Sequence, residues 1–161
     1  AGSPVTLRNK PSARELWNST ISKLTDPVDP AFVRRFAEGW LSLPVPPAFF
    51  EAMVQESLKV PAHVWKAATA SLLAEDHSAE LDKIKALTLI IWGDQDAFTK
   101  SDQEVLTAAI AGSRFVVYPG AGHSPHWEEP ERFASDLAAL IETVAIVAKA
   151  LPSRQARTPA G

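Results

Sequence analysis

The 161-residue chain has no cysteine, which excludes a disulfide framework and any thiolate metal site. Net charge is small, −3 with a pI of about 5.8. That balance offers no electrostatic grip on nucleic acid or on an anionic membrane surface. Long hydrophobic runs are missing too. The longest apolar stretch, 137–151, is broken by Glu142 and Lys149 and is too short to cross a bilayer. The opening Ala-Gly-Ser-Pro-Val-Thr-Leu-Arg contains no apolar core of the secretory-signal kind, so a cytoplasmic location is the expectation. Tyrosine occurs once, at Tyr118. What is present belongs to a packed protein: 46% hydrophobic and 22% charged residues exclude a disordered chain.

Two parts of different character follow one another. Residues 12–84 read as helices joined by Pro-rich turns, with no strand pattern. Asp29-Pro30 is an N-cap followed by a first-turn proline, opening a helix through Phe32, Val33, Phe36 and Trp40. Leu43-Pro44-Val45-Pro46-Pro47 breaks the chain before a helix carrying Phe49, Phe50, Met53 and Val54. Pro61 starts the next, with Val64, Trp65, Ala68, Leu72 and Leu73 at helical spacing. Ser78 is placed as the cap of a short helix with Leu81 and Ile84.

Residues 85–147 alternate instead. Leu87 to Trp92 is a nearly continuous apolar run ending at Gly93, the signature of a strand buried on both faces. Ser101-Asp102-Gln103-Glu104 reads as a capping box before a helix with Val105, Leu106, Ala109 and Ile110. Arg114 to Tyr118 is a second strand, stopped by Pro119-Gly120. Pro130 opens a last helix with Phe133, Leu137, Leu140, Ile141 and Val144 on one face. The order strand, helix, strand, helix implies a right-handed parallel crossover. The stretch from Pro152 to Gly161 is polar and is expected to be a mobile tail.

Two parallel strands cannot cover the run 88–92 on both faces and both edges, since small sheets need about three strands or more. Residues 1–8 offer one short extended piece at most. The sheet is therefore expected to be completed by strands from another polypeptide, or by self-association across its open edge.

Functional groups of parallel sheets collect at the carboxyl ends of the strands. Asp96 follows the first strand by a few residues and His123 follows the second. Neighbouring strands lie ~4.8 Å apart, so the two side chains can meet above the sheet. An aspartate that accepts from one imidazole nitrogen leaves the other free to take a proton from a nucleophile. Gly120 and Gly122 suit a tight loop with unusual backbone angles that aims His123 over the sheet.

With Gly93-Asp94-Gln95-Asp96, Gly122-His123 and Glu128, Pro130 and Phe133 in view, residues 85–147 resemble the last two strands and helices of the α/β-hydrolase fold. The resemblance implies an α/β class, the C-terminal part of a hydrolase core with a helical cap. It divides the chain into a cap or lid, 1–84, core strands and helices, 85–150, and the tail, 151–161. It places the triad acid at Asp96 and the histidine at His123, with Asp94 stabilising the turn and no cofactor or metal. It also implies that roughly 110 residues of a ~250-residue core would precede this region. They would carry the nucleophile elbow and oxyanion amides. No Gly-x-Ser-x-Gly occurs in the chain.

Each residue has an ordinary reading as well. A histidine in a Gly-rich loop is usually a surface group, and here the flanking segments favour the triad position. His126 is read as structural; His123-x-x-His126 lacks a third ligand at useful spacing. His63 and His77 read as ordinary polar residues. Trp40, Phe49, Phe50, Trp65 and Phe98 are candidates to line an apolar substrate pocket, although any one of them could serve the cap core alone. Trp92 is assigned to packing within the sheet. Epoxide hydrolases of the resembled family use cap tyrosines, and Tyr118 lies outside the cap. Carbon–carbon hydrolases usually carry Trp after the histidine, where this chain has Ser124. The expected activity is hydrolysis of small apolar carboxylic esters or lactones by a serine-type mechanism. The partner would be an N-terminal half bearing the nucleophile. Alternatives are a dehalogenase-type hydrolase and a non-catalytic remnant acting in binding or assembly.

Overall fold

A computed structural model describes residues 4–150 of the chain; the expected tail lies outside them. Four helices form the first part: α1 (Pro11–Ser19), α2 (Pro30–Glu38), α3 (Pro47–Leu58) and α4 (Ala62–Ala74). Short 3₁₀ turns at Ile21–Lys23 and Ser78–Lys83 flank them. The second part runs β1 (Leu89–Gly93), α5 (Lys100–Ala109), β2 (Arg114–Tyr118), α6 (Pro125–Glu128) and α7 (Pro130–Ala150).

The helical part closes around its own core. Ile21, Leu24, Val28, Phe32, Val33, Ala37, Val54 and Ala62 are buried together. Helix α2 begins as its sequence dictates, with the Asp29 carboxylate accepting from the Ala31 N–H at 2.9 Å. The start of α4 is capped from a distance, by Asp26 Oδ1 accepting from the Ala62 N–H at 2.7 Å. Phe32 and Phe36 both meet Trp65 edge to face, at 5.5 and 5.1 Å.

β1 and β2 pair in parallel, with Leu89 opposite Arg114 and Gly93 opposite Tyr118. On one face Ile90 packs with Val5, Leu81, Leu106 and Ile110. On the other, Ile91 packs with Tyr118 and Ala121, and with the half-buried Leu43, Leu89, Val116 and Phe133. Trp92 is buried within the sheet, its ring stacked near Phe115 at 6.4 Å. β2 is less covered: Phe115 and Val117 are exposed. So are Leu137, Ile141, Val144 and Ile146 on α7, with Ile141 and Ile146 67% and 68% accessible.

Several local expectations change. The capping box at 101–104 does not form, because α5 starts at Lys100 with Thr99 before it. The Asp96 carboxylate takes the Phe98 and Thr99 N–H groups at 3.1 and 3.3 Å and so sets that start. Asp102, freed from capping, is buried and ion-paired to Lys10 at 2.5 Å. Asp76, not Ser78, caps the short turn, accepting from the Ser78 N–H at 3.0 Å. Among the described residues, 4–8 add no strand to the sheet; Thr6 forms an isolated antiparallel bridge with Asp76.

Candidate functional site

Two turns leave the carboxyl ends of the strands and lock together. In the first, Asp94 Oδ1 accepts from the Gly120 N–H at 2.8 Å and from Gln95 Nε2 at 2.8 Å. These bonds hold its carboxyl below the usual range and make it the turn-stabilising residue. The Gln95 N–H donates to the Ala121 carbonyl at 3.0 Å, joining the first turn to the second.

In the second turn Gly120 has φ +81° and needs the freedom of glycine. Gly122 does not; the expectation of an unusual angle there is corrected. Its lack of a side chain serves space instead, since a Cβ would stand 2.9 Å from the Ser42 nitrogen and from the Trp40 carbonyl oxygen. The strand-to-helix loop of the second part therefore lies directly against the chain leaving α2. The His123 N–H donates to that Trp40 carbonyl at 3.0 Å.

His123 Nδ1 lies 2.8 Å from Asp96 Oδ2. The carboxylate can only accept, which assigns a proton to Nδ1; in the neutral ring Nε2 is then the acceptor. The Asp96 side chain is 2% exposed and that of His123 is 24% exposed. Thr99 Oγ1 also donates to Asp96 Oδ2, at 2.6 Å. Burial pushes the Asp96 carboxyl up, but hydrogen bonds from His123 and Thr99 outweigh it and hold the group below its ordinary value. Asp96 is thus a buried anion at neutral pH, suited to orienting an imidazole and stabilising its charged form. The Trp40 ring lies over the imidazole, centroids 4.1 Å apart and tilted by 42°.

His123 forms part of the wall of a cleft of about 310 Å³ between the two parts of the chain. Its walls are mainly Phe36, Trp40, Met53, Trp65 and Trp127, with Ser57, Ser124 and His126 as the polar points. Such an apolar hollow with a few convergent polar groups suits a small apolar ligand. Burial lowers the basicity of His126, so it is neutral where it faces the cleft.

Of the predicted pocket residues, Trp40 and Trp65 line this cleft. Phe98 lies beside it, in a smaller hollow with Trp40, Asp96 and His123. Phe49 does not line the cleft. It precedes Met53 by one turn on the same stripe of α3 and packs at the edge on Trp127, 6.0 Å away. Phe50 faces the helical core and a surface groove with Arg34 and Leu43 instead. His126, read as structural, lies in the wall of the cleft. His77 is an exposed partner of Glu75 at 3.3 Å. Among the described residues no three His, Asp or Glu side chains are grouped to hold a metal ion.

Sequence reasoning used Glu128 only as a mark of the final helix and missed its bonding role. Its buried carboxylate collects the backbone N–H groups of Ser42 and Leu43, both at 2.6 Å, and of Gly122 at 2.9 Å. Its partners are main-chain amides, so no side-chain pattern announced them.

Comparison with known proteins decides the family. The profile of the Alpha/beta hydrolase family matches residues 3–137. The chain belongs to the α/β-hydrolase family. Among its hydrolase relatives is a 2-hydroxy-6-oxo-6-phenylhexa-2,4-dienoate hydrolase of Burkholderia cepacia. It is 30% identical over 95 residues, covering 58% of this chain and 30% of the relative. A 2-hydroxy-6-oxononadienedioate/2-hydroxy-6-oxononatrienedioate hydrolase of Klebsiella pneumoniae is 41% identical over 59 residues, 36% of this chain and 20% of that protein. The esterase EaEST of Exiguobacterium antarcticum is similar in structure, with a TM-score of 0.71 and 25% identity. That match covers 81% of this chain and 47% of the esterase. The chain thus spans less than a third of the curated relatives it matches and about half of the esterase. The two-stranded parallel sheet with its flanking helices is a partial α/β-hydrolase core. No described helix is long and apolar enough to cross a membrane.

Proposed function

We propose that this chain supplies the acid and the histidine of a serine-type hydrolase acting on small apolar carboxylic esters or lactones. The observation that carries the reading is the His123 Nδ1–Asp96 Oδ2 contact of 2.8 Å, with His123 in the wall of the apolar cleft. In this reading residues 1–84 are the cap over the pocket and 85–150 the C-terminal part of the core. In this reading the nucleophile lies on the N-terminal half of the hydrolase fold, outside these 161 residues, which contain no Gly-x-Ser-x-Gly. A serine of that half attacks the acyl carbon while His123 Nε2 takes its proton. The proton then passes to the departing alkoxide, and water releases the acid by the reverse relay. Tyr118, the single tyrosine, gives its hydroxyl to Asp136 at 2.7 Å. That bond supports leaving epoxide opening out of the reading.

The test is hydrolysis of a p-nitrophenyl ester by the pure chain, alone and mixed with a nucleophile-bearing half. Negligible turnover alone, gained on mixing and lost with His123→Ala or Asp96→Asn, is expected. Robust turnover by the 161-residue chain alone would refute the divided site. An inactive mixture would favour a non-catalytic binding or assembly role through the open sheet edge.

A second reading, cleavage of a carbon–carbon bond in a ring-cleavage product, is favoured by the 30% and 41% identical relatives. Comparing rates on the ester and on 2-hydroxy-6-oxo-6-phenylhexa-2,4-dienoate separates the two.

A further inference from the structure

We propose that Glu128 is a positioning residue for His123, fastening the histidine loop to the chain leaving α2 so that both move as one body. The proposal rests on the reading of His123 as the base. Glu128 Oε1 accepts from the Ser42 and Leu43 N–H groups, both at 2.6 Å, while Oε2 accepts from the Gly122 N–H at 2.9 Å. One buried carboxylate therefore bridges two segments that are about 80 residues apart in sequence. Charge-assisted bonds from backbone amides are short and strong, the more so for a carboxylate as buried as that of Glu128.

The bridge ends where His123 begins. Gly122 is the neighbouring residue, and the His123 N–H donates to Trp40, two residues before Ser42. The same segment carries the Trp40 ring that covers the imidazole. Loosening the carboxylate frees the loop backbone and the aromatic cover together. The Nδ1–H···Asp96 bond, whose other end sits on the separate turn after β1, then loses its alignment. Glu128 reaches neither the imidazole nor the cleft in this arrangement, so it acts only through these amides.

Glu128→Gln keeps the size of the side chain and turns one acceptor oxygen into an NH₂ donor that faces a donor. The readout is proton NMR of the purified 161-residue chain, following the far-downfield Nδ1–H resonance of His123, with amide hydrogen exchange alongside. Asp96→Asn is the control. Expected is loss of that resonance in both variants, and exchange of the Ser42, Leu43 and Gly122 amides faster by roughly tenfold or more in Glu128→Gln. A sharp, unshifted resonance in Glu128→Gln that is absent from Asp96→Asn would overturn the positioning role and leave the dyad intact. A resonance untouched by Asp96→Asn would overturn the underlying reading of His123. If Glu128→Gln does not fold, exchange in the unaltered chain decides. The Ser42, Leu43 and Gly122 amides are expected to open together, and independent opening of Gly122 would overturn the bridge.

Discussion

The helical and the α/β parts of this chain are about equally rich in apolar residues but bury them differently. The helical part surrounds one continuous cluster. The α/β part divides its apolar side chains into two small clusters, one on each face of a two-stranded sheet. β1 is covered almost throughout, whereas most of β2 and residues 141–146 of α7 face outward. A helix bundle can close on itself by wrapping; a sheet must be continued sideways before its faces are covered. The proposed acid–histidine pair sits in the part with the thinner core, and its loop is bonded to the part with the thicker one.

Substitutions can break or sharpen this contrast. The largest effect is expected for Phe32→Ala. Phe32 is buried and edge-on to Trp65, and its loss should cost about 3–5 kcal/mol in urea unfolding. A cost below about 1 kcal/mol would mean that the helical cluster is not the stronger core. Next comes Tyr118→Phe, which removes the bond to Asp136 and should cost about 1–2 kcal/mol. No change in the urea midpoint would show that the second cluster rests on shape alone.

The pH dependence has a worked sign. His126 is less basic in the folded chain than when unfolded. Its contribution is present above the unfolded value of about 6.5 and is lost as pH falls through the lower folded value. The urea midpoint should therefore drop between pH 7 and 5, and His126→Gln should flatten that drop. The lowered Asp96 adds a second, more acidic loss, beginning below about pH 4. A midpoint that is flat from pH 7 to 5 would contradict the burial of His126.

The smallest effect on stability belongs to Phe115→Ser on the exposed sheet face, within about 0.5 kcal/mol. The same change should reduce any concentration-dependent association in sedimentation. A cost comparable with Phe32→Ala would erase the difference between the two parts.

Much of this was legible in the amino acids. Strand β2 has the bounds its sequence implied, α2 begins at the Asp29-Pro30 signal, and Asp96 and His123 meet as their strand-end positions required. Each of these depends on side-chain type at short range. What escaped depends on distant backbone. Asp26 caps a helix 36 residues ahead. The capping box at 101–104 is displaced for a local reason, since the Asp96 carboxylate already takes the Phe98 and Thr99 amides. The one-turn helix α6 is too short to show a period. Assigning the pocket wall needed the phase of α3, which sends Met53 and Ser57 to the cleft and leaves Phe49 at its edge.

The Glu128 bridge has a bearing on how such a pocket can diversify. Its grip on the helical part falls wholly on main-chain amides, so at positions 42 and 43 any residue except proline keeps the donor. The identity of the side chains there is decoupled from the fastening. A library randomised at Ser42 can thus change the wall of the smaller hollow beside Asp96 and His123 while the fastening stays, a form of mutational tolerance set into the backbone.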